Sequence, residues 1–184
     1  MAWPRQQMTN PAPLLVFGYG SLIWRPDFPH LSAHPARLHG WHRSFCIWSH
    51  HHRGTADLPG LVLGLRPGGS CRGMAFRVAA TEREEVLANL DARELVAGEY
   101  RRITGRVRLL DGGGMEEAVL YVADRAAPVF CPGLPPDRAA TAIAAASGIS
   151  GANRAYLLNT LAGLRAMGVR DSGLEAVAAL LPPG

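Results

Sequence analysis

The chain has no lysine, so all 19 of its Lys-plus-Arg residues are arginine. Chemistry that needs a side-chain amine is excluded: a Schiff-base lysine, a pyridoxal phosphate anchor and the lysine of a Walker phosphate loop all go. Cysteine is scarce too. Cys46, Cys71 and Cys131 are odd in number and show no C-x-x-C spacing, which argues against a disulfide framework or zinc ribbon and fits a reducing compartment. No segment has the ~20 apolar residues of a membrane span. The Pro-rich stretch from Met1 to Pro13 lacks the apolar core of a secretory signal. The expectation is a flexible lead over 1–13 and one domain over 14–184, in a cytoplasmic protein without membrane partners.

What remains is enough to fold. At 184 residues and 48% hydrophobic content, the chain can bury a substantial core. The net charge of +4 comes from arginines spread among acids, which reads as solvated surface and not as a nucleic-acid stripe. The four tryptophans, all at or before Trp48, have no basic stripe beside them and read as core and pocket wall.

Leu14 to Tyr19 is a short apolar run closed by glycines, the pattern of a buried strand entering a tight turn. Further β-rich stretches are Trp41 to Trp48, Leu61 to Arg66, Arg72 to Val78, Arg101 to Leu110 and Glu116 to Ala123. The last two flank a hairpin turn at Gly112 to Gly114. Thr81 and Glu84 have capping-box spacing and announce a helix running through Leu87 and Leu90 toward Ala97, with Gly98 as its stop. Three helical stretches follow at Asp137 to Ser147, Ser150 to Met167 and Ser172 to Leu181. Strands first, then helices, with no alternating βαβ series, predict an α+β fold with a helical cap on a sheet.

Within this frame Glu94 is the most unusual acid. It falls within about 40° of Leu87 and Leu90 on a helical wheel, on the apolar stripe. Burial there raises a carboxyl pKa, whereas an arginine neighbour lowers it, so Glu94 is either a tuned acid/base or half of an ion pair with Arg93 or another arginine. The turn Gly18-Tyr19-Gly20-Ser21-Leu22 would expose successive N–H groups able to hold a carboxylate or developing oxyanion, or is an ordinary strand-to-loop turn. Its spacing is neither G-x-G-x-x-G nor G-x-S-x-G, so it supports neither a dinucleotide site nor a nucleophile elbow. All seven histidines lie between His30 and His52. Neighbours such as His50, His51 and His52 alternate faces on a strand, which makes a poor ligand set, and no metal site is expected. The cysteines read as small buried hydrophobes.

Together these segments resemble the ChaC family of glutathione-specific γ-glutamylcyclotransferases. The matching stretches are Val16-Phe17-Gly18-Tyr19-Gly20-Ser21-Leu22-Ile23-Trp24 with Pro26-Asp27-Phe28, and Arg53-Gly54-Thr55 leading to Pro59-Gly60-Leu61. Leu90-Asp91-x-Arg93-Glu94 followed by Tyr100 is a third, and Ser147-Gly148-x-Ser150-Gly151-x-Asn153-Arg154-x-Tyr156-Leu157 a fourth. The resemblance implies a small mixed sheet curled into a barrel with helices around it. It implies that Phe17, Gly18, Tyr19, Gly20, Ser21 and Leu22 form the loop holding the γ-glutamyl moiety and that Glu94 is the catalytic glutamate. Arg53 matches a family feature without a firm role. One departure is Phe130-Cys131-Pro132-Gly133, where an aromatic-x-Gly is expected before the helical cap, so the aromatic stands one position out of place.

The reaction so implied is intramolecular. The α-amine of a γ-glutamyl group attacks its own side-chain carbonyl, giving 5-oxoproline and cysteinylglycine, with Glu94 moving the proton and no cofactor or metal required. Two alternatives differ in kind. One is a non-catalytic module that binds γ-glutamyl peptides or regulates ion transport, which would tolerate loss of Glu94. The other is a hydrolase using Ser21 with a histidine from the His30 to His52 region.

Overall fold

The computed structural model describes residues 13–95 and 97–183. Of the expected lead, residues 1–12 therefore lie outside the described residues. Five strands close into a barrel: β1 (Leu14–Gly18), β2 (Ser32–Ser49), β3 (Gly60–Val78), β4 (Tyr100–Leu109) and β5 (Gly114–Ala123), in the order β1-β3-β2-β4-β5. Neighbours are antiparallel except at the seam, where β1 meets β5 in parallel at Val16 and Val119. Helix α1 (Arg83–Glu94) covers one outer face. Helices α2 (Pro136–Ala145), α3 (Asn153–Ala166) and α4 (Ser172–Ala179) form the cap, and a small ribbon pairs Ser147–Gly148 with Gly151–Ala152 ahead of α3. The expected α+β class and barrel with surrounding helices are what the structure has.

Strand β1 is buried on both faces because it lies between two cores. Leu15 and Phe17 point into the barrel with Leu38, Leu65 and Leu120, and this core continues into the cap through Ile143, Leu157 and Leu164. Leu14 and Val16 point outward against Val86 and Leu90 of α1. Period-2 alternation in the strand thus meets a four-residue step in the helix. Continuing that step by four residues reaches Glu94, the last residue of α1.

Several boundaries differ from the sequence expectation. Strand β2 begins at Ser32, well before Trp41, and β3 runs unbroken through Pro67, Gly68 and Gly69. Gly40, Gly68 and Gly69 take left-handed backbone angles without ending pairing: between the pairs His39–Ser70 and Trp41–Pro67, the two β3 residues Gly68 and Gly69 stand opposite the single β2 residue Gly40 as a bulge. The capping box is not formed. Thr81 lies in a 3-10 turn (Ala80–Glu82), Glu82 holds the cap position, and no side chain accepts a hydrogen bond there. Helix α1 also ends at Glu94 instead of Ala97: the Leu95 N–H bonds to Asp91 O, and Gly98, at φ 70°, serves the following turn. Among the described residues no helix is long and apolar enough to cross a membrane.

Candidate active site

The site arises because β3 is much longer than β1. β1 pairs only with residues Met74 to Val78 of β3, leaving the first half of that edge without a strand partner. Buried backbone groups left unpaired are costly, and side chains satisfy them here. Asn153, fully buried at the start of α3, accepts from Leu61 N at 2.7 Å and donates to Leu61 O at 2.8 Å. Two residues on, Leu63 N donates to the Tyr156 hydroxyl oxygen at 3.2 Å, while the Tyr100 hydroxyl donates to Leu63 O at 2.8 Å. The helical cap is thereby fastened to the barrel rim, and a cleft is left beside the junction.

The cleft has two connected parts. A hollow of about 280 Å³ is lined by residues that include Trp24, His52, Arg53, Arg93, Glu94 and Glu99. A smaller recess of about 40 Å³ is lined by Phe17, Tyr19, Gly20, Ser21, Leu22, Leu63 and Tyr121. Ser21, Glu94, Tyr100 and Tyr156 border both. Of the turn residues picked out in the sequence, Gly18 alone does not line the recess. It lies underneath, where an added Cβ would stand 2.8 Å from Leu22 Cβ.

The turn is fixed from both sides. Behind it, the Arg43 guanidinium donates to Tyr19 O at 2.7 Å and is held by Asp171, the N-cap of α4, at 3.0 Å. In front, Ser21 opens a 3-10 turn (Ser21–Ile23), whose first N–H groups have no partner within the turn itself. At Gly20 a Cβ would be 3.1 Å from the Tyr156 hydroxyl, so the absent side chain lets that hydroxyl come close.

Arg93 joins the turn to Glu94. It donates to Ser21 Oγ at 2.8 Å, lies 3.2 Å from Glu94 Oε1 and 3.8 Å from Asp27 Oδ2. Glu94 is thus ion-paired with Arg93 and at the same time borders the cavity. Burial pushes its carboxyl pKa up, Arg93 pulls it down, and Glu99 adds to the rise, leaving it above the ordinary value. Burial also raises Glu99, a second carboxylate of the cleft, against the pull of His50. The surrounding phenols stay protonated. Tyr19 and Tyr100 are raised well above the usual value by burial, and Tyr156 is pushed up by burial to about 12.

Ser21 has its oxygen engaged by Arg93, which leaves the proposed serine–histidine pairing without a hydrogen bond in this geometry. The histidines are dispersed: His34 bonds to Asp111, His42 to Gly68 O and His52 to Ser150 Oγ. No group of three His, Cys, Asp or Glu side chains placed to hold a metal occurs among the described residues. Phe130 bridges to Ile47 and Cys131 bonds through its backbone to Cys46, so both belong to the barrel wall and not to the cleft lining. Sequence reasoning gave no role to Tyr156, Tyr100, Glu99 or Arg43. The first two stood within quoted motifs, but only the three-dimensional join of α3 and β4 to β3 reveals what they do.

Comparison with known proteins agrees with this architecture. The chain is similar to an Escherichia coli protein named glutathione-specific gamma-glutamylcyclotransferase, at 36% identity over 163 residues, covering 89% of this chain and 70% of the relative. A human glutathione-specific gamma-glutamylcyclotransferase 1 is 34% identical over 154 residues, covering 81% of this chain and 68% of the relative. In fold it is similar to the crystal structure of a yeast gamma glutamyl cyclotransferase specific to glutathione, with TM-score 0.83 at 23% identity, covering 92% of this chain and 97% of that one. The family model described as ChaC-like protein matches residues 14–181, which takes in the barrel, α1 and the cap. This chain belongs to the ChaC-like protein family.

Proposed function

We propose that this protein is a γ-glutamylcyclotransferase that cleaves glutathione into 5-oxoproline and cysteinylglycine. The E. coli and human relatives carry the name of that activity, and the cleft supplies groups suited to each part of it. The new bond joins the substrate's α-nitrogen to its γ-carbonyl carbon, and the broken bond is the amide to cysteine. The attacking nitrogen gives up two protons, one before attack and one as the lactam forms, and the departing nitrogen gains two and leaves as the ammonium of cysteinylglycine. No water or electron acceptor enters the balance.

Glu94 is the proton carrier in this reading. A carboxylate desolvated enough to have a raised pKa accepts a proton more readily than an exposed one and can return it within the same site. Its position at the junction of the recess and the larger hollow is the observation that carries the proposal. The N–H groups of the Gly20 to Leu22 turn and the Tyr156 hydroxyl, kept protonated by burial, are suited to receive negative charge on the γ-carbonyl oxygen. Because nucleophile and electrophile share one molecule, holding the folded-back conformer is itself worth several orders of magnitude. Three buried free thiols are compatible with work in a reducing, glutathione-containing compartment.

Incubation of the purified protein with glutathione, read by mass spectrometry, tests the proposal. Equal amounts of 5-oxoproline and cysteinylglycine are expected. A folded wild type that binds glutathione but yields neither would replace the enzyme with a binding module.

A further inference from the structure

Two arginines have been taken almost wholly out of water in this fold, and they differ in what neutralises them. The side chain of Arg43 is 3% exposed and is met by the Asp171 carboxylate, with Nε and Nη2 each at 3.0 Å. Arg53 is 8% exposed. Its Nη1 donates to two backbone carbonyls, Ser150 O at 2.6 Å and Ala152 O at 3.5 Å, and its Cζ lies 5.3 Å from the centre of the Tyr156 ring. All three partners are neutral. Among the described residues no carboxylate pairs with it.

An arginine cannot escape such a position by losing its proton, and a buried cation without an anion is unfavourable. Burial bears down on the charge most, Tyr156 offsets some of this, and Arg25 and Arg93 add repulsion. Those two arginines have acids of their own, Asp27 at 2.7 Å and Glu94 at 3.2 Å. Arg53 is therefore the cleft cation whose counter-ion is absent from the described chain.

The position is also built with care. The loop carrying Arg53 packs backbone to backbone: a Cβ on Gly54 would lie 2.1 Å from Gly60 N, and one on Gly60 would lie 2.3 Å from Arg53 O. On the other side Ile149 N donates to His51 O at 3.0 Å and Ser150 N to His52 O at 2.9 Å, with Gly148 too close to His51 O to bear a side chain. A guanidinium held this firmly loses little freedom when it meets an anion. Tyr156 sets the span, since its ring lies by Arg53 and its hydroxyl by Gly20.

We infer that Arg53 receives the carboxylate at the far, C-terminal end of the peptide substrate and selects for γ-glutamyl dipeptides that end in a free acid. The inference rests on the cyclotransferase reading, which puts the γ-carbonyl at the turn. From there two extended residues span about 7 Å, suited to the separation that one tyrosine side chain bridges. The substrate's other carboxylate sits on the carbon bearing the attacking amine, so it stays at the Glu94 end.

The test compares glutathione with its glycine amide, which lacks only the terminal charge. Wild type is expected to favour the acid by about 30-fold or more in kcat/KM, chiefly through KM, since losing one partner of a buried charge pair has at least that effect. Arg53→Gln should turn over both substrates at the rate of the disfavoured one, and Arg53→Lys should keep part of the preference. Wild type treating acid and amide alike within twofold overturns the inference, and that arm requires no variant to fold. A folded Arg53→Gln that retains the full preference overturns it as well. No turnover of either substrate by wild type would instead bring down the cyclotransferase reading, and the inference with it.

Discussion

The two ends of the cleft follow opposite electrostatic plans. At the end made by the turn and α1, charges come in opposed sets: Arg93 stands between Ser21, Asp27 and Glu94, and Asp27 also holds Arg25. At the other end, Arg53 rests on carbonyl oxygens and a ring face. On the proposed reading, the difference separates two tasks. A group that must take and return a proton works best when neither form is strongly preferred, and the burial that raises the Glu94 carboxyl against the pull of Arg93 acts in that direction. A group that must only hold an anion works best as a permanent, unneutralised cation on a rigid support.

That contrast can be broken most severely at its protonic end. Glu94→Gln keeps the shape and removes the base, and it should lower kcat by about 10²- to 10⁴-fold while leaving KM for glutathione within a few-fold. Steady-state kinetics on the folded variant decide this, and near-normal kcat would remove Glu94 as the carrier. Tyr156 belongs to both ends, and Tyr156→Phe separates them by keeping the ring beside Arg53 while deleting the hydroxyl. It should reduce kcat by about 10²-fold with little change in KM; a pure KM effect would put the hydroxyl's role in binding. Gly20→Val drives a side chain against that hydroxyl, for which a roughly tenfold loss in kcat/KM and a weaker affinity are expected from overpacking. Calorimetric glutathione affinity equal to wild type would show that the turn does not touch substrate.

The smallest effect sharpens the comparison through stability. A carboxyl whose folded pKa is raised binds more protons in the native than in the unfolded state between the two values, so its contribution falls as pH rises through that window. Glu94→Gln does not titrate. The variant should melt at a higher temperature than wild type at neutral pH, and the gap should close as pH falls below the ordinary carboxyl value. A variant less stable at neutral pH would mean that the Arg93 pair outweighs the burial of Glu94.

Much of the barrel was legible in local pattern. β1 and the turn after it, the Gly112 to Gly114 hairpin, and the inward face of Glu94 follow from alternation, glycine and helical period alone. The long strands were not legible, because Pro35, Gly40 and the Pro67-Gly68-Gly69 run carry the composition of loops, and only pairing between β2 and β3 keeps them extended. The capping box misled for a related reason: a 3-10 turn starts the helix one step later and leaves Thr81 outside it. Leu87, which marks the apolar stripe in the sequence, packs half-buried against the same cluster, and Val86, one residue earlier, joins Leu90 as its fully buried member. Tyr100, Tyr156 and Arg43 act through contacts to residues distant in the chain, such as Tyr156 to Leu63, and local spacing holds no signal for such pairs.

Glu94 as a desolvated proton carrier is the claim most open to direct measurement. Its side-chain carboxyl can be titrated by ¹³C NMR and set beside the pH dependence of kcat/KM for glutathione. The midpoint should lie above the ordinary glutamate value of 4.5 and coincide with the acid limb of the rate profile, a limb that the Gln variant lacks. A midpoint at or below 4.5, or an acid limb that persists in Glu94→Gln, would contradict the account.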